Sequence, residues 1–336
     1  MGGRPKKTGA EVANRKRRAL VYGPVPSRRL GRSLGVDVVP FKVCDFDCIY
    51  CQLGRTSVHT LERKVYVSPD EVLPQIEEKL RTGVRPDYIT MGGSGEPTLN
   101  AALGDIIAAV RKISDVPVAL LTNGALLSDP QVRAACAQAD VVLPDLDAGD
   151  EETFRLINRP CKGLTLEKIV RGLEMFRREF TGRMWLEVFL VAGINDSDAQ
   201  VKKIARLAER FRPDKIQLNT AVRPPAVESV GKVSHARLER LSSLFTPRAE
   251  VVADFAKPVE TESVGDEERR RAAEEDVLSM LRRRPCTIKD VAGGLGISDE
   301  RAAAALARLS ESGRARPVMR GGETYFSAEG ESGTRA

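Results

Sequence analysis

Three cysteines lie within eight positions of the segment KVCDFDCIYCQLG, residues 42–54. They are Cys44, Cys48 and Cys51, and their spacing is C-x3-C-x2-C. The chain has six cysteines in all. Thiols grouped this tightly favour metal or catalytic chemistry over a disulfide framework. The segment is therefore the first candidate for a reactive site.

Three interpretations of these thiols are open from spacing alone. They could be small buried hydrophobes, as free cysteines often are. They could hold a structural zinc ion completed by a histidine, for which His59 is the nearby candidate and His235 is the other histidine of the chain. They could instead hold three irons of an iron–sulfur cluster and leave one iron open. The spacing favours the cluster over zinc, because Cys136 and Cys161 lie in other segments.

The elements that must position these thiols follow from the hydrophobic pattern. From about residue 33, short apolar runs alternate with amphipathic helical segments. The runs predicted as strands are SLGVDVVPF, PDYITMGG, PVALLTNG, ADVVLPDLDA, MWLEVFLVAGIND and DKIQLNTAVRPP, with AEVVADF as a closing strand near residue 256. Repeated strand–helix units predict an α/β fold with a parallel sheet and right-handed crossovers. Six units are typical of a partial (β/α) barrel.

Capping residues delimit several of the predicted helices. In SPDEVLPQIEEKLRTG, Ser68 is the expected N-cap, Pro69 occupies the first helical position and Gly83 ends the helix. In SDPQVRAACAQA, Ser128 is the expected cap and Pro130 lies in the first turn.

Polar segments follow the predicted strands at a common edge. The cysteine loop follows strand one, and GGSGEPT, TNG, LDA, GIND and NTAVRP follow later strands. Ligands of parallel α/β folds bind at the carboxyl ends of the strands. These segments are therefore expected to form one rim and one site.

Two of these motifs resemble those of the radical S-adenosylmethionine (radical SAM) superfamily. The cysteine spacing with Tyr50 before the last cysteine is similar to its signature, and GGSGEP at 92–97 looks like a stretched form of its GGEP-type motif. The resemblance covers roughly residues 20–256. PVPSRRLGRSLGVD resembles a generic iron–sulfur oxidoreductase subgroup near the radical enzymes of wyosine formation on tRNA.

The resemblance implies two cofactors. Cys44, Cys48 and Cys51 would hold one [4Fe–4S] cluster, whose open iron would chelate the amino and carboxylate groups of S-adenosylmethionine. Reductive cleavage of that molecule would give a 5′-deoxyadenosyl radical that abstracts hydrogen from a substrate the sequence does not identify. A flavodoxin- or ferredoxin-type one-electron donor is implied as a partner.

The resemblance also implies roles for rim residues. Tyr50 would lie against the adenine, Gly92, Gly93 and Ser94 would approach the methionine end, and Glu96 would accept from its ammonium group or orient the loop. Thr122 and Asn123 are the candidate ribose contacts. Further polar candidates for substrate or cofactor are Asp145, Asp147, Glu187, Asn195, Asn219 and Arg223.

The net charge of +6 comes from one short segment. Residues 1–19 carry seven basic side chains against Glu11 alone. This composition predicts a disordered basic tail, and it permits attraction to RNA or another polyanion. The barrel is predicted over residues 20–260, and residues 20–336 together carry no net charge.

A second domain is predicted over residues 266–328, with a flexible C-terminus at 329–336. Three helical segments, the third capped by Ser298, precede two strands around Gly321 and Gly322. This order resembles a winged-helix module. Twelve basic and eleven acidic residues leave it almost neutral, and Asp299 and Glu300 begin the expected recognition helix, so DNA readout is disfavoured.

The functional prediction combines these features. We expect a cytoplasmic radical SAM enzyme, since no apolar run reaches the length of a membrane span and MGGRPKKTGA lacks a signal-peptide core. RNA, specifically a tRNA base, is the preferred substrate class ahead of protein. The alternative is a cluster-based, redox- or SAM-responsive regulator that uses the winged helix to bind DNA or protein.

Overall fold

The structure is a computed structural model that describes residues 19–222, 225–252, 268–283, 285–295, 297–320 and 322–329. Most of the predicted basic tail, the predicted linker and the end of the C-terminus lie outside these residues. So does the candidate Arg223.

A largely parallel sheet forms the first part of the chain. Its strands and a small pair are, in chain order, β1 Val21–Ser27, β2 Gly31–Val36, β3 Val43–Cys44, β4 Val58–His59, β5 Tyr88–Met91, β6 Val118–Thr122, β7 Val141–Pro144, β8 Arg183–Leu190, β9 Lys215–Thr220 and β10 Glu250–Val251. Eight of the described strands form one sheet in the order β1-β2-β5-β6-β7-β8-β9-β10. Only β1 pairs antiparallel in it. The sheet is open between β1 and β10, which confirms the predicted partial barrel.

Helices cover the outer face of this sheet. They are α1 Pro69–Arg81, α2 Leu103–Ile113, α3 Pro130–Cys136, α4 Glu151–Asn158, α5 Leu166–Glu179, α6 Asp198–Glu209 and α7 His235–Ser242. Outward side chains of the strands, such as Leu120 and Leu186, pack with helix residues such as Val110 and Phe176 in one core. This two-layer packing buries both faces of the parallel strands.

The predicted N-caps Ser68 and Ser298 are confirmed, the latter at the start of the helix Asp299–Glu311, and a third predicted cap differs. Ser68 and Glu71 form the capping box of α1. The prediction of Ser128 as the cap of α3 was wrong. Asp129 is the N-cap and accepts from Gln131 N, and Pro130 is the first helical residue.

The elements β1, α4 and α7 were not predicted, and neither were the two-residue strands β3 and β4. Pro24 and Pro26 argue against a strand, yet β1 is an edge strand, where a missing N–H is tolerated. The helices α4 and α7 are only eight residues each, too short for a strong periodic signal.

Side chains on the inner face of the sheet form a separate small core. Ala119, Val141, Leu143 and Trp185 pack there with Leu30 from the β1–β2 turn. Leu30 also lines the cavity described below. This apolar layer therefore closes the inside of the partial barrel beneath the carboxyl-end rim.

A second unit follows, with α8 Glu268–Arg283, α9 Ile288–Leu295, α10 Asp299–Glu311, β11 Ala315–Arg320 and β12 Glu323–Ala328. This is the predicted order of three helices and a hairpin. Its own core includes Leu281, Val291 and Leu306, and Val25 of β1 packs against it. Winged-helix character and the domain limits stay predictions. Among the described residues, no helix combines the length and apolarity needed to cross a membrane.

Candidate active site

The loop that carries the three cysteines begins at the end of β3. That strand pairs in parallel with β4, which places Cys44 opposite His59. Main-chain bonding tightens the loop, since Cys51 N donates to Cys48 O at 3.1 Å. All three thiols are partly buried and line one cavity of about 380 Å³. The structure therefore directs these side chains to a shared space.

Burial controls the protonation of two of these thiols. It raises the pKa of Cys44 well above the ordinary thiol value, and the nearby Asp45 carboxylate raises it further. Burial also raises the pKa of Cys48, with Asp147 as the next cause. Without a metal these thiols keep their protons, and ligation must release them.

The geometry does not assemble a zinc site around His59. Its Nε2 lies 3.0 Å from the Asp45 carbonyl oxygen. Within the described ranges, no three His, Cys, Asp or Glu side chains are grouped closely enough to hold a single metal ion, and this includes the three cysteines of the loop. The other cysteines also have separate surroundings, since Cys136 is in the barrel core and Cys286 in the core of the second unit.

The GGSGEP segment after β5 packs tightly against the chain itself. Gly93 has a φ of 127°, and a Cβ there would overlap the Tyr22 hydroxyl. A Cβ on Gly95 would overlap the Val43 carbonyl oxygen. Gly93, Gly95 and Glu96 line the cavity, whereas Gly92 and Ser94 do not. The glycines thus let this loop approach β1 and β3 closely.

Glu96 joins two rim loops. Its Oε1 accepts from Thr98 N at 3.0 Å, Thr98 Oγ1 at 2.6 Å and Thr122 Oγ1 at 2.7 Å. Its Oε2 accepts from Asn123 N at 2.8 Å. Burial raises the pKa of Glu96, and these hydrogen bonds oppose the rise. The carboxylate therefore ties the end of β6 to the glycine-rich loop.

Asn123 connects that rim to the cysteine loop. Its Nδ2 donates to Asp45 Oδ1 at 2.5 Å, and its Oδ1 accepts from Ala125 N at 2.9 Å. Asp45 is fully buried, and its Oδ2 has no hydrogen-bond partner among the described residues. Burial, and then Glu96, raises the pKa of Asp45. Thr122 and Asn123 both line the cavity while making these internal bonds, and their assignment as ribose contacts stays a prediction.

Tyr50 is held on the opposite side of the cavity. Its ring stacks on Phe189 with centroids 3.9 Å apart and planes 10° apart. Its hydroxyl donates to Asp147 Oδ2 at 2.5 Å, and Asn158 Nδ2 donates to the same oxygen at 2.7 Å. Asn195 Nδ2 donates to the Asp147 carbonyl at 2.7 Å. Asp147 and Asn195 therefore do not line the cavity. They hold Tyr50 and its neighbours in place through hydrogen bonds.

The remaining polar residues of the rim include an ion pair that was not predicted from the sequence. Arg29, from the β1–β2 turn, pairs with Glu187, whose Oε1 accepts from Asn219 Nδ2 at 2.7 Å. Burial lowers the pKa of Arg29 to about 10. Burial raises the pKa of Asp145, with Asp147 as the next cause. Of the predicted rim candidates in the described chain, Asp145, Glu187 and Asn219 line the cavity.

The second unit reaches the cavity through Met280. Met280 of α8 is 4% exposed, belongs to the core of the second unit and also lines the cavity. Lys79 of α1 pairs with Asp276 of α8 at 2.8 Å. The sequence offered no signal for Met280, because it lies beyond the last rim motif, NTAVRP, in an ordinary amphipathic helix.

Comparison with known proteins decides the family. A model of the radical SAM superfamily matches residues 38–208, half of the chain. A UPF0026 protein of Methanocaldococcus jannaschii is 38% identical over 228 residues, covering 67% of this chain and 71% of that protein. The chain belongs to the radical SAM superfamily. It is therefore a radical SAM enzyme by family, and the cofactors of the family are a [4Fe–4S] cluster and S-adenosylmethionine.

Further relatives of this radical SAM enzyme differ in length and name. A GTPase Obg of Brachyspira hyodysenteriae is 38% identical over 299 residues, covering 88% of this chain but 43% of that protein. The chain thus spans less than half of that relative, and it contains no G-x-x-x-x-G-K-S/T phosphate loop. A radical SAM methyltransferase structure from Sphaerobacter thermophilus aligns with a TM-score of 0.46 at 18% identity, covering 65% of this chain and 66% of that one.

The cavity of this radical SAM enzyme fits the cofactors of the family in its donor chemistry. Three thiols, the ligand type that iron–sulfur clusters use, face one space. Gly93 and Gly95 border that space without side chains, and the polar ends of β6, β7, β8 and β9 complete the rim. The same space has room for an organic molecule, since pockets of about 300–1,000 Å³ hold small ligands.

Proposed function

We propose that Cys44, Cys48 and Cys51 hold the [4Fe–4S] cluster of this enzyme and that the rim of the cavity binds S-adenosylmethionine. The observation that carries this proposal is that the three thiols, the glycine-rich loop and the ends of β6–β9 line one cavity. When bound, these cofactors supply a 5′-deoxyadenosyl radical that abstracts hydrogen from the substrate.

The residues of the chain position the cofactors and exclude water. Glu96 holds the glycine-rich loop against the end of β6 through its four hydrogen bonds, and its Oε2 is the acceptor we assign to the methionine ammonium. Tyr50 offers the ring face that is not stacked on Phe189 to the adenine. Thr122 and Asn123 lie where the ribose is assigned. Gly92 and Ser94 act through the conformation of their loop.

We propose a macromolecular substrate, with a tRNA base preferred over a protein side chain. Three features support this class: the likeness to the wyosine-type radical enzymes, the basic residues 1–19, and a second unit whose Met280 reaches the cavity. Val25 and Met280 together place the second unit beside the cavity, where it can present a large substrate.

The partners and location follow from the same chemistry. The enzyme needs a one-electron reductant, and we propose a flavodoxin- or ferredoxin-type carrier. Six free cysteines suit the reducing cytoplasm, which is the proposed location. The regulator alternative gains no support. Arg314 and Arg316, at the start of the hairpin of the second unit, pair with the acidic side chains Glu275 and Glu329.

Anaerobic reconstitution tests the cofactor assignment. The wild-type protein should bind about four irons per chain and give a spin-resonance signal that changes when S-adenosylmethionine is added. With a strong one-electron reductant it should release 5′-deoxyadenosine. Stoichiometric zinc in anaerobically purified protein, with no cluster after reconstitution, would refute the assignment.

The substrate class needs a separate test. Total tRNA should raise the rate of 5′-deoxyadenosine release, and removal of residues 1–18 should weaken tRNA binding most at low salt, because phosphate contacts are salt-dependent. Nucleoside and proteome mass spectrometry of cells with and without the gene then identifies the target. If a peptide mass changes while every RNA modification stays intact, the substrate is a protein rather than RNA. That outcome would leave the cofactor assignment unaffected.

A further inference from the structure

Lys42 places a cation beside one of the three thiols. Its Nζ lies 3.2 Å from Cys51 Sγ. The groups that donate to the other two thiols are uncharged and lie farther away: Phe46 N is 3.5 Å and Asn123 Nδ2 is 4.0 Å from Cys44 Sγ, and Asn158 Nδ2 is 3.6 Å from Cys48 Sγ. Cys44 Sγ itself lies 3.9 Å from Asp45 Oδ1. Cys51 is therefore the thiol with a charged hydrogen-bond donor.

The backbone holds Lys42 in this place. Its φ of 60° lies in the left-handed region, which is uncommon for a residue with a Cβ. Lys42 N donates to Ser94 O at 2.6 Å, and Lys42 O accepts from Ser57 N at 3.2 Å and Val58 N at 3.1 Å. A residue kept in a strained conformation by surrounding bonds points to a functional constraint.

The environment of the ammonium group is unusual for a lysine. Lys42 is 4% exposed and lines the cavity, although lysine side chains are almost never buried without a partner. It makes no ion pair with an acidic side chain of the described residues. A buried cation without a compensating anion is unfavourable, so the group at Cys51 is the natural counter-charge.

We propose that Lys42 donates a charge-assisted hydrogen bond to the Cys51 thiolate of the bound cluster and thereby raises the reduction potential of the cluster. This inference rests on the proposed function. A [4Fe–4S]²⁺ core with three thiolates has a net charge of −1, and one-electron reduction makes it −2. A fixed cation stabilises the more negative state more strongly, and hydrogen bonds to sulfur tune cluster potentials. The electron comes from the carrier, which is oxidised.

A redox titration of the reconstituted protein without S-adenosylmethionine tests this role. Lys42→Met removes the charge and the donor at similar length. It should make one-electron reduction at least tenfold less favourable, a shift of about 59 mV to lower potential. Lys42→Arg keeps a cationic donor and should retain most of the wild-type potential. The matched control is Lys64→Met, because Lys64 is an exposed lysine nearby that pairs with Glu62 and should leave the potential unchanged.

The outcomes separate this inference from the cofactor assignment. If Lys42→Met prevents cluster assembly, Lys42→Gln keeps a neutral donor and should shift the potential in the same direction by a smaller amount. A wild-type potential in a fully iron-loaded Met or Gln variant would overturn the inference, as would an equal shift in Lys64→Met. Failure of the wild-type protein to form any cluster would instead refute the proposed function.

Discussion

The barrel and the second unit use buried carboxylates differently. Inside the barrel, Asp45, Glu96 and Asp147 are buried carboxylates that accept hydrogen bonds from neighbouring loops near the cavity. In the second unit the buried carboxylate Asp290 bonds locally with Thr287 at the start of α9, and the pairs Arg308–Glu274 and Arg314–Glu275 lie on the surface. Buried carboxylates are costly unless they are bonded, so their concentration at one rim marks the part of the molecule organised for chemistry.

The cysteines show the same contrast. Cys48 and Cys286 are the same residue type, but Cys48 borders the cavity whereas Cys286 is fully buried among apolar side chains. Cys286 N also donates to Phe326 O at 2.9 Å, within the packing of β12. A cysteine is therefore reactive or inert according to where the fold places it.

The largest effect is expected from a substitution that removes a cluster ligand and leaves the second unit folded. Cys48→Ala removes one cluster ligand, so iron binding and 5′-deoxyadenosine release should fall to background. Cys286→Ala should keep both activities and lower the stability of the second unit by about 1 kcal/mol, the value of a small buried group. Iron analysis and product chromatography measure the difference. Full turnover in Cys48→Ala would contradict the ligand assignment.

A substitution of Met280 tests whether the packing of the second unit also stabilises the barrel. Met280→Ala empties a site in the core of the second unit and should destabilise that unit by about 3 kcal/mol. Hydrogen exchange should rise in α8 and also in β1, because Val25 packs on the same core. The control is Met319→Ala, since Met319 is 67% exposed. Faster exchange confined to α8–β12 would show that the units are independent.

Glu96 tests the organisation of the rim. Glu96→Gln replaces one accepting oxygen by an amide nitrogen that cannot accept, so the side chain loses either the bonds from Thr98 and Thr122 or the bond from Asn123. The barrel should lose about 2 kcal/mol of stability, and the dissociation constant for S-adenosylmethionine should rise. Calorimetry measures both, with the exposed Glu62→Gln as the control. A variant with wild-type stability and affinity would show that the rim does not need both carboxylate oxygens as acceptors.

The smallest effect concerns the ion pair between the units. Lys79 and Asp276 are each about one-third exposed, so solvent screens their attraction. A double-mutant cycle with Lys79→Met and Asp276→Asn should give a coupling of about 0.5 kcal/mol. A coupling energy of zero would mean that apolar packing alone holds α8 against the barrel. A coupling energy of several kcal/mol would mean that the ion pair dominates this contact.

Much of the barrel was predictable because its signals are local. The six strands β2 and β5–β9 are apolar runs bounded by turn residues, and the capping box at Ser68 and Glu71 is a four-residue pattern. The edge strand β1 and the cap of α3 were not predicted. In β1 two prolines are compatible with a strand only because one edge lacks a neighbour, which is a property of the assembled sheet.

The candidate site was predictable in outline and not in its contacts. The motifs named Tyr50, Glu96 and Asn123, and all three line the cavity. Gly92 and Ser94 were named with them but do not line it. Lys42 and Arg29 were missed, because long cationic side chains are usually exposed and their burial depends on what packs over them.

The sequence by itself determined the cysteine spacing, the succession of strands and helices and the family, since each depends on residues close together along the chain. Only the tertiary structure decided that Glu96 bonds to Thr122 and Asn123, that Lys42 contacts Cys51, and that Met280 lines the cavity. The physical reason is that a carboxylate, an ammonium group or a thioether acquires its role from its partners and its burial. Those are set by long-range packing across the parallel sheet and between the two units.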